Sequence, residues 1–309
     1  MKALSLLVLC LLLVGVTLVQ AAETSDSSAW TRVALLGTGT PNPDPGRSGC
    51  SVAVIVNNAS YIVDFGPGLI RKAAALSPRY GGDIEALLMK NIKRAFLTHL
   101  HSDHTVGLPD LILTPWVEGR AEPLELYGPK GIKHMADHIL QAYAEDIKYR
   151  LNGAQPANDL GWRVNAHEFR EGVVYTDENV KVEAFLVKHG RWPNAYGFRF
   201  TTPDKKIVIS GDTTPCENIL KFSRDADILI HEVYSQKGFE TKTEFWKKYH
   251  KQNHTSTFEL GEIAKAAQPK LVVLYHILLW GTEPEDLLQE IAEKYDGKVV
   301  VGKDLAVFE

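Results

Sequence analysis

The chain alternates between short apolar runs and clusters of turn-forming residues, which is the pattern of β-strands joined by tight loops. Runs such as RVALLG and SVAVIV are rich in β-branched residues and are bounded by Gly, Pro and Asn. These runs predict strands over 32–37, 51–56, 61–65, 94–98, 123–128, 180–187, 196–201, 206–210, 227–233, 270–276 and 298–302. Apolar residues spaced three and four apart predict helices over 68–76, 84–91, 131–149, 215–222, 256–267 and 284–294.

Strand clusters followed by helices occur in both halves of the chain. This order predicts an α/β (α+β) fold in which two sheets stack with helices outside, a four-layer αββα sandwich rather than one doubly wound parallel sheet. No stretch rich in Pro or Ser divides the chain. Residues 23–309 are therefore expected to form a single domain with one shared core.

The amino-terminal segment has the composition of a secretory leader. Lys2 is followed by an apolar run from Ala3 to Val19, and small residues stand at Ala21 and Ala22. The pattern predicts a signal peptide over residues 1–22 and an exported protein, periplasmic or secreted. An uncleaved membrane anchor is the alternative, because the run approaches spanning length. After cleavage no stable membrane association is expected.

Composition and charge narrow the function classes. The 309 residues are 45% hydrophobic and 23% charged, which is typical of a globular protein. The formal net charge of -4 provides no global basic field for a polyanion. Cys50 and Cys216 remain after the leader; free thiols are favoured over a pair, and the absence of a Cys-x-x-Cys motif argues against a thiolate zinc site.

The stretch THLHSDH, residues 98–104, concentrates His99, His101, Asp103 and His104 at the end of a predicted strand. Residues two apart on extended backbone point the same way, so His99 and His101 can share one ion. Imidazole and carboxylate ligands without thiolate favour zinc, with manganese and iron as alternatives. The sequence therefore predicts a divalent metal site here.

Further His and Asp residues stand at or near predicted strand ends, where functional groups converge. They are His189, Asp212, His231, His254 and His276. Four other histidines lie in helical, polar or Lys-rich surroundings and are interpreted as surface residues: His134, His138, His167 and His250.

The segment THLHSDHTVGLPDL resembles the His-x-His-x-Asp-His signature of the metallo-β-lactamase superfamily. The later order of His189, SGDT, HEVY, HTS and LYH is similar to the ribonuclease Z and secreted arylsulfatase branch, as are LGTGTPNP and YIVDFGPG near the start. The resemblance spans about residues 32–308. It implies a metal-dependent hydrolase with a sandwich of the metallo-β-lactamase type.

The resemblance also implies a dinuclear centre with two Zn²⁺ per chain, with Mn²⁺ or Fe²⁺ as alternatives. It assigns one ion to His99, His101 and His189, and the other to Asp103, His104 and His276. Asp212 is expected to bridge the ions together with a shared hydroxide.

Three residues are expected to be catalytic through the same resemblance. Asp103 is expected to accept a hydrogen bond from the hydroxide, and His254 of the HTS motif to supply a proton, oriented by Glu232. Asp64 is expected to brace the metal loops by hydrogen bonds. His231 is interpreted as a structural residue.

Our leading hypothesis from the sequence is an exported, arylsulfatase-like hydrolase of a small anionic ester. Only residues 190–211 separate His189 from Asp212, so the basic arm of ribonuclease Z proper is absent. With the leader and the negative charge, this argues against a nucleic-acid partner. The alternatives are a phosphodiesterase or ribonuclease Z-like phosphodiester hydrolase, a β-lactamase, and a non-catalytic metal-binding protein. A homo-oligomer is compatible with the sequence.

The stretch KGFETKTEFWKKYHKQNHTS places aromatic residues and lysines just before His254. One interpretation is a cover whose aromatic rings and lysines contact an anionic substrate. The favoured alternative is a solvated helix whose aromatic face packs inward. Trp192 and Trp280, close after His189 and His276, are expected either to wall the site or to pack in the core.

Overall fold

A computed structural model describes residues 30–154 and 157–309. Within these ranges two seven-stranded mixed sheets stack between outer layers of helices, which confirms the predicted four-layer sandwich. The leader predicted over residues 1–22 lies outside the described residues, so its cleavage and the export of the protein remain predictions. Among the helices in the described ranges, none is long and apolar enough to cross a membrane.

The strands of the first sheet are Thr31–Gly37 (β1), Ser51–Val56 (β2), Ala59–Val63 (β3), Arg94–Phe96 (β4), Leu124–Gly128 (β5), Val164–Glu168 (β6) and Val307–Phe308 (β14). Those of the second are Gly172–Thr176 (β7), Lys181–Leu186 (β8), Tyr196–Thr201 (β9), Lys206–Ile209 (β10), Ile228–Tyr234 (β11), Val272–Leu278 (β12) and Val299–Val301 (β13). The first sheet has the strand order β14-β1-β2-β3-β4-β5-β6 and the second has the order β13-β12-β11-β10-β9-β8-β7.

The helices are Leu69–Leu76 (α1), Ser102–Thr105 (α2), Leu108–Val117 (α3), Ile132–Ala142 (α4), Ala144–Asn152 (α5), Glu217–Ser223 (α6), Gln236–Glu240 (α7), Glu244–Asn253 (α8), Thr257–Ala267 (α9) and Pro284–Ala292 (α10). Helix α9 begins with a capping box, in which Ser256 and Glu259 satisfy each other's free backbone N–H groups. This cap fixes where the chain leaves the loop that carries His254.

Both faces of the central strands are buried, which explains why their sequences are continuously apolar. In β1, Val33 and Leu35 point into the core between the sheets, whereas Ala34 and Leu36 point toward the outer helices. The core between the sheets draws aromatic residues from both halves, with the Phe96 ring 5.9 Å from that of Phe198. One apolar layer therefore joins the two sheets.

Two predicted helices differ from the structure. The segment 84–91 forms two 3₁₀ turns, Glu85–Leu87 and Met89–Asn91, because its N–H groups bond three residues back rather than four. The segment 131–149 is divided at Tyr143, which ends α4 and precedes α5. Tyr143 is exposed, so packing does not hold one helix continuous at this point.

Several elements were not predicted, and the edge strands show why. Strands β6 and β7 are mostly exposed and lie at the ends of their sheets, so their sequences lack the apolar runs of the central strands. Polar edge strands also protect a sheet from pairing with other chains.

Helix α3 contains Pro115, which has no N–H to bond the carbonyl of Leu111. Buried Arg120 donates to that carbonyl at 3.1 Å. The same guanidinium also donates to the carbonyls of Ile92, Ile112 and Gly161. Burial lowers the pKa of Arg120 to about 10. Arg120 thus holds the loop after α3 in place and replaces the hydrogen-bond donor that Pro115 lacks.

Candidate metal centre

Seven His and Asp side chains converge near the ends of strands from both sheets. His99 and His101 follow β4, Asp103 and His104 lie in α2, His189 follows β8, Asp212 follows β10, and His276 lies in β12. Strands β10, β11 and β12 are parallel, so their carboxyl ends reach the same edge of the sheet. The fold therefore gathers the residues that the sequence placed far apart.

Local backbone conformation sets the direction of two side chains of the site, those of His276 and Asp64. The pairing of β11 with β12 shifts between Glu232 and Val233, which leaves His276 as an extra residue at a φ of 44°. Such a bulge redirects a side chain out of the regular alternation. Asp64, just after β3, has a φ of 60°. Positive φ at residues other than glycine is strained and is frequent at functional sites.

The first group of ligands consists of His99, His101, His189 and Asp212. Nε2 of His99 lies 2.9 Å from Nδ1 of His101, and that nitrogen lies 3.1 Å from Nε2 of His189. Oδ2 of Asp212 lies 3.9 Å from Nε2 of His189. Three imidazoles and one carboxylate thus face a common point.

The second group consists of Asp103, His104, Asp212 and His276. Nε2 of His276 lies 3.2 Å from Oδ2 of Asp103 and 3.4 Å from Oδ2 of Asp212. Nε2 of His104 lies 3.5 Å from Oδ1 of Asp212. Asp212 belongs to both groups, so it occupies the position of a bridging ligand.

Hydrogen bonds on the far side of two of the imidazoles, those of His104 and His189, fix their orientation. Nδ1 of His104 donates to Oδ2 of Asp64 at 2.8 Å, and Nδ1 of His189 donates to the carbonyl of Asn253 at 2.8 Å. Asp64 also accepts the backbone N–H of Thr98 at 2.8 Å. Each arrangement leaves Nε2 of the imidazole free to bind a cation. Asp64 thus has the contacts of the expected bracing residue.

The donor set fits a pair of metal ions. Nε2 of His104 and Oδ1 of Asp212 are buried without a hydrogen-bond partner in the described structure, although buried polar atoms are almost always paired. Ligand nitrogens about 3 Å apart are compatible with a cation about 2.0–2.1 Å from each. Together with the sharing of Asp212, this indicates a dinuclear metal site.

The electrostatic environment favours the metal-binding protonation state of several ligands. At His104 and His276 burial is outweighed by the negative charge of Asp212, which raises the pKa. Burial lowers the pKa of His99 well below its usual value and that of His101 to about 4, so both imidazoles are neutral at pH 7. Burial opposes ionisation of Asp103, but His104 and His276 outweigh it and lower the pKa of that carboxyl group. Asp103 is therefore a carboxylate at neutral pH.

His254 and Glu232 form a buried pair beside the second group. Oε1 of Glu232 accepts the backbone N–H groups of Thr213 and Thr255, each at 3.1 Å, and lies 3.2 Å from Nδ1 of His254. Because Oε1 is an acceptor, Nδ1 of His254 donates and Nε2 is left free. Burial lowers the pKa of His254 to about 4, and burial and the charge of Asp212 raise that of Glu232.

The remaining histidines divide into buried and exposed groups. His231 is fully buried and its Nδ1 donates to the carbonyl of Glu232, a contact that suits a structural residue. His134, His138 and His167 are exposed, as predicted. His250 is buried, so its interpretation as a surface residue is wrong. Its ring packs 4.3 Å from that of Trp280, a contact between α8 and the end of β12 that a Lys-rich local sequence hides.

Two cavities adjoin the metal centre. One of about 510 Å³ is bordered by His101, His189 and Trp192, and the other of about 420 Å³ is bordered by His254 and Trp280. The ring of Trp192 lies 4.3 Å from that of His101. Both tryptophans therefore wall the site, one of the two roles considered for them.

Sequence reasoning missed one contact of the centre, the carbonyl of Asn253 that orients His189. Any residue supplies a backbone carbonyl, so residue type carries no signal for this role. Tyr249 borders both cavities, which agrees with the alternative interpretation of this segment as a cover. The inward-packed aromatic face favoured for the helix is wrong, because Phe245, Trp246 and Tyr249 are exposed. Phe239, earlier in the segment, is buried.

The sequence of this chain is similar to those of known metal-dependent hydrolases. The family model described as a β-lactamase superfamily domain matches residues 61–277. A ribonuclease Z of Mycobacterium bovis is 30% identical over 280 residues, covering 88% of this chain and 96% of the relative. A ribonuclease Z of Mycolicibacterium gilvum is 31% identical, covering 88% and 94%.

Solved structures have the same fold. The metallo-β-lactamase fold protein YhfI from Bacillus subtilis has a TM-score of 0.67 at 20% identity, covering 91% of this chain and 100% of that one. The short form of human tRNase Z has a TM-score of 0.66 at 22% identity, covering 90% and 98%.

These relatives correct two expectations from the sequence. The leading hypothesis of an arylsulfatase-like enzyme acting on a small anionic ester is wrong, because the relatives that match over nearly their whole length are ribonuclease Z proteins. The argument against a nucleic-acid partner is wrong for the same reason. The match to the M. bovis protein covers 96% of that relative, so the short connection between His189 and Asp212 does not exclude this chain from the family.

Proposed function

The chain belongs to the ribonuclease Z branch of the β-lactamase superfamily and is a metal-dependent hydrolase, and on this basis we propose that it cleaves phosphodiester bonds in RNA. The observation that carries the proposal is the sharing of Asp212 by two groups of ligands, with the His254–Glu232 pair beside them. Two cations a few ångströms apart suit in-line displacement at phosphorus. RNA is proposed as the substrate because relatives that match over nearly their whole length are ribonuclease Z proteins.

We assign zinc to both positions. The donors are imidazole nitrogens and carboxylate oxygens without thiolate in either group, a set that suits zinc. Bound there, two such ions would lower the pKa of water toward neutrality and would offset negative charge on the phosphate oxygens. The described residues supply the seven ligands required: His99, His101, Asp103, His104, His189, Asp212 and His276.

The protein's own groups then control orientation and protons. Asp103 is ionised and lies within the second group, where it accepts a hydrogen bond from the attacking oxygen and aligns its lone pair. His254 is held by Glu232 through Nδ1, so its free Nε2 can accept the proton released by the attacking water and pass it to the leaving oxygen. Glu232 is fully buried, whereas His254 borders the second cavity, so the imidazole is the member of the pair that a substrate can reach.

A direct test uses the purified chain, loaded with zinc, on an RNA hairpin that carries a single-stranded 3′ extension. We expect cleavage of a phosphodiester bond by the zinc-loaded protein and none after chelation. The variant H99A should be inactive, whereas H138A, which changes an exposed histidine outside the centre, should match the wild type. Hydrolysis of phosphomonoesters or β-lactams without any cleavage of RNA would refute the proposal.

A further inference from the structure

Helix α8 displays three large aromatic side chains to solvent. Phe245 is 73% exposed, Trp246 47% and Tyr249 39%, although Phe is among the residues most often fully buried in folded proteins. The buried residues of this helix are His250 and Asn253. Neighbouring apolar side chains left exposed in this way are typical of interaction sites.

The three rings form a row that leads to the metal centre. The Phe245 ring lies 5.4 Å from that of Trp246, the Trp246 ring 5.6 Å from that of Tyr249, and the Tyr249 ring 6.4 Å from that of His254. We call Phe245, Trp246 and Tyr249 the aromatic row. It connects solvent with the residue placed beside the reacting centre.

The aromatic row also borders both cavities of the site. Tyr249 lines the cavity that contains His101 and His189, and Tyr249 and Trp246 line the cavity that contains His254. A chain that leaves the metal centre through either cavity therefore passes one of these rings. The surface is continuous with the site rather than a separate patch.

Charge around the aromatic row suits an anion. Lys242, Lys248 and Lys251 form no ion pair with the residues that the structure describes, whereas Lys247 is paired with Glu240 and Glu244. Three unpaired ammonium groups on and just before α8 contrast with the net charge of -4 of the whole chain. They create a local positive field beside the rings.

From this arrangement we propose that α8 is a stacking platform for unpaired nucleobases of an RNA strand whose neighbouring phosphodiester occupies the metal centre. The aromatic rings stack on successive bases, and Lys248 and Lys242 contact the intervening phosphates. Lys248 is three residues from Phe245, and Lys242 lines the cavity of Trp246 and Tyr249. This inference rests on the proposed function. Helix α8 would then bind the RNA strand, a role for which the short connection between His189 and Asp212 provides no surface.

A single-stranded RNA with 2′-O-methyl groups, which resists cleavage, tests binding apart from catalysis. The dissociation constant is measured by fluorescence anisotropy on the zinc-loaded protein. We expect the double variant F245A/W246A to bind about 5- to 150-fold more weakly, the range for the loss of one stacked base or more. The matched control Y149A removes an aromatic ring that is 63% exposed and lines neither cavity, so it should bind as the wild type.

Two further ligands separate stacking from simple charge attraction. A blunt RNA duplex offers no unpaired base, so F245A/W246A should not weaken its binding, and the same holds for inorganic polyphosphate. The variant K242A/K248A should instead lower the slope of log K against log salt by about 0.7 for each lost phosphate contact.

Equal affinity of F245A/W246A and the wild type for the single strand would overturn the platform. The platform would also be overturned if F245A/W246A bound RNA as the wild type does but no longer bound anionic phosphatidylserine vesicles, because the rings would then belong to a membrane contact. The same variant losing only self-association, measured by ultracentrifugation, would assign the rings to a contact with a second copy of the chain. If the wild type binds the single strand through these rings but cleaves no RNA, the proposed reaction fails while the platform stands.

Discussion

Oε1 of Glu232 lies 3.2 Å from Nδ1 of His254, and this buried contact links strand β11 to the loop that precedes helix α9. The same oxygen accepts two backbone N–H groups, so its position is fixed independently of the imidazole. His254 is therefore held in one tautomer beside the metal groups without being required as a ligand of either one.

This relationship predicts a selective loss of chemistry. We expect H254A to keep two metal ions and to lose about 10²- to 10⁴-fold in kcat, the usual contribution of a positioned acid–base group. E232Q should lose less, and the double variant should lose little more than H254A, because both residues act through one proton. Steady-state kinetics and metal analysis provide the measurement. An equal loss on aryl phosphodiesters with good and poor leaving groups would contradict the acid role.

The shared position of Asp212 predicts the greatest loss of metal. D212A removes a carboxylate from both groups, so we expect fewer than two ions per chain by elemental analysis after zinc loading and dialysis. The control H138A alters an exposed histidine on α4 and should retain both ions. Full occupancy and full turnover in D212A would show that Asp212 is not a bridge.

Asp64 should affect metal affinity without binding metal itself. An amide at this position can still accept from Thr98 but cannot also accept from Nδ1 of His104. We expect D64N to lower the affinity for one of the two ions by about 10- to 100-fold, the usual effect of losing the partner that orients a ligand. Competition with a chromogenic chelator measures both affinities, with D137N on the surface of α4 as control. Unchanged affinity for both ions would exclude the bracing role.

Arg120 predicts a stability effect coupled to Pro115. R120A leaves several buried carbonyl groups without their donor, so the free energy of unfolding should fall by about 3 kcal/mol. In a P115A background the new backbone N–H can satisfy Leu111, and the loss caused by R120A should shrink by about 1 kcal/mol. Urea denaturation of the four proteins completes the cycle. Strict additivity would mean that Arg120 does not compensate for the proline.

Asp177 predicts a pH dependence of stability. Burial opposes its ionisation, but hydroxyl donors Tyr61 and Tyr175, with two backbone N–H groups, lower its pKa below the usual value. A lowered carboxyl pKa stabilises the fold above the unfolded pKa of about 3.9, and this contribution is lost as the pH falls through the folded pKa. The stability difference between wild type and D177N should therefore be full at pH 7 and should shrink below about pH 4. Urea denaturation across this range measures it; a constant difference would contradict the assignment.

The sequence determined the layered fold and most of the metal centre. Continuous apolar runs require strands that are covered on both faces, and the central strands β1, β2, β11 and β12 have that burial. The spacing of His99, His101, Asp103 and His104 required a metal because so many titratable groups are costly in a core without one. The order of later motifs then supplied His189, Asp212 and His276.

Tertiary structure decided the features that depend on which surfaces meet. The same helix α8 buries His250 and exposes Trp246, and neither outcome follows from a local sequence of lysines and aromatic residues. The carbonyl of Asn253 orients His189. The guanidinium of Arg120 donates to the carbonyl that Pro115, five residues earlier, cannot bond. Propensity and periodicity are local, whereas burial and backbone partners are set by residues distant in the chain, so only the folded molecule fixes them.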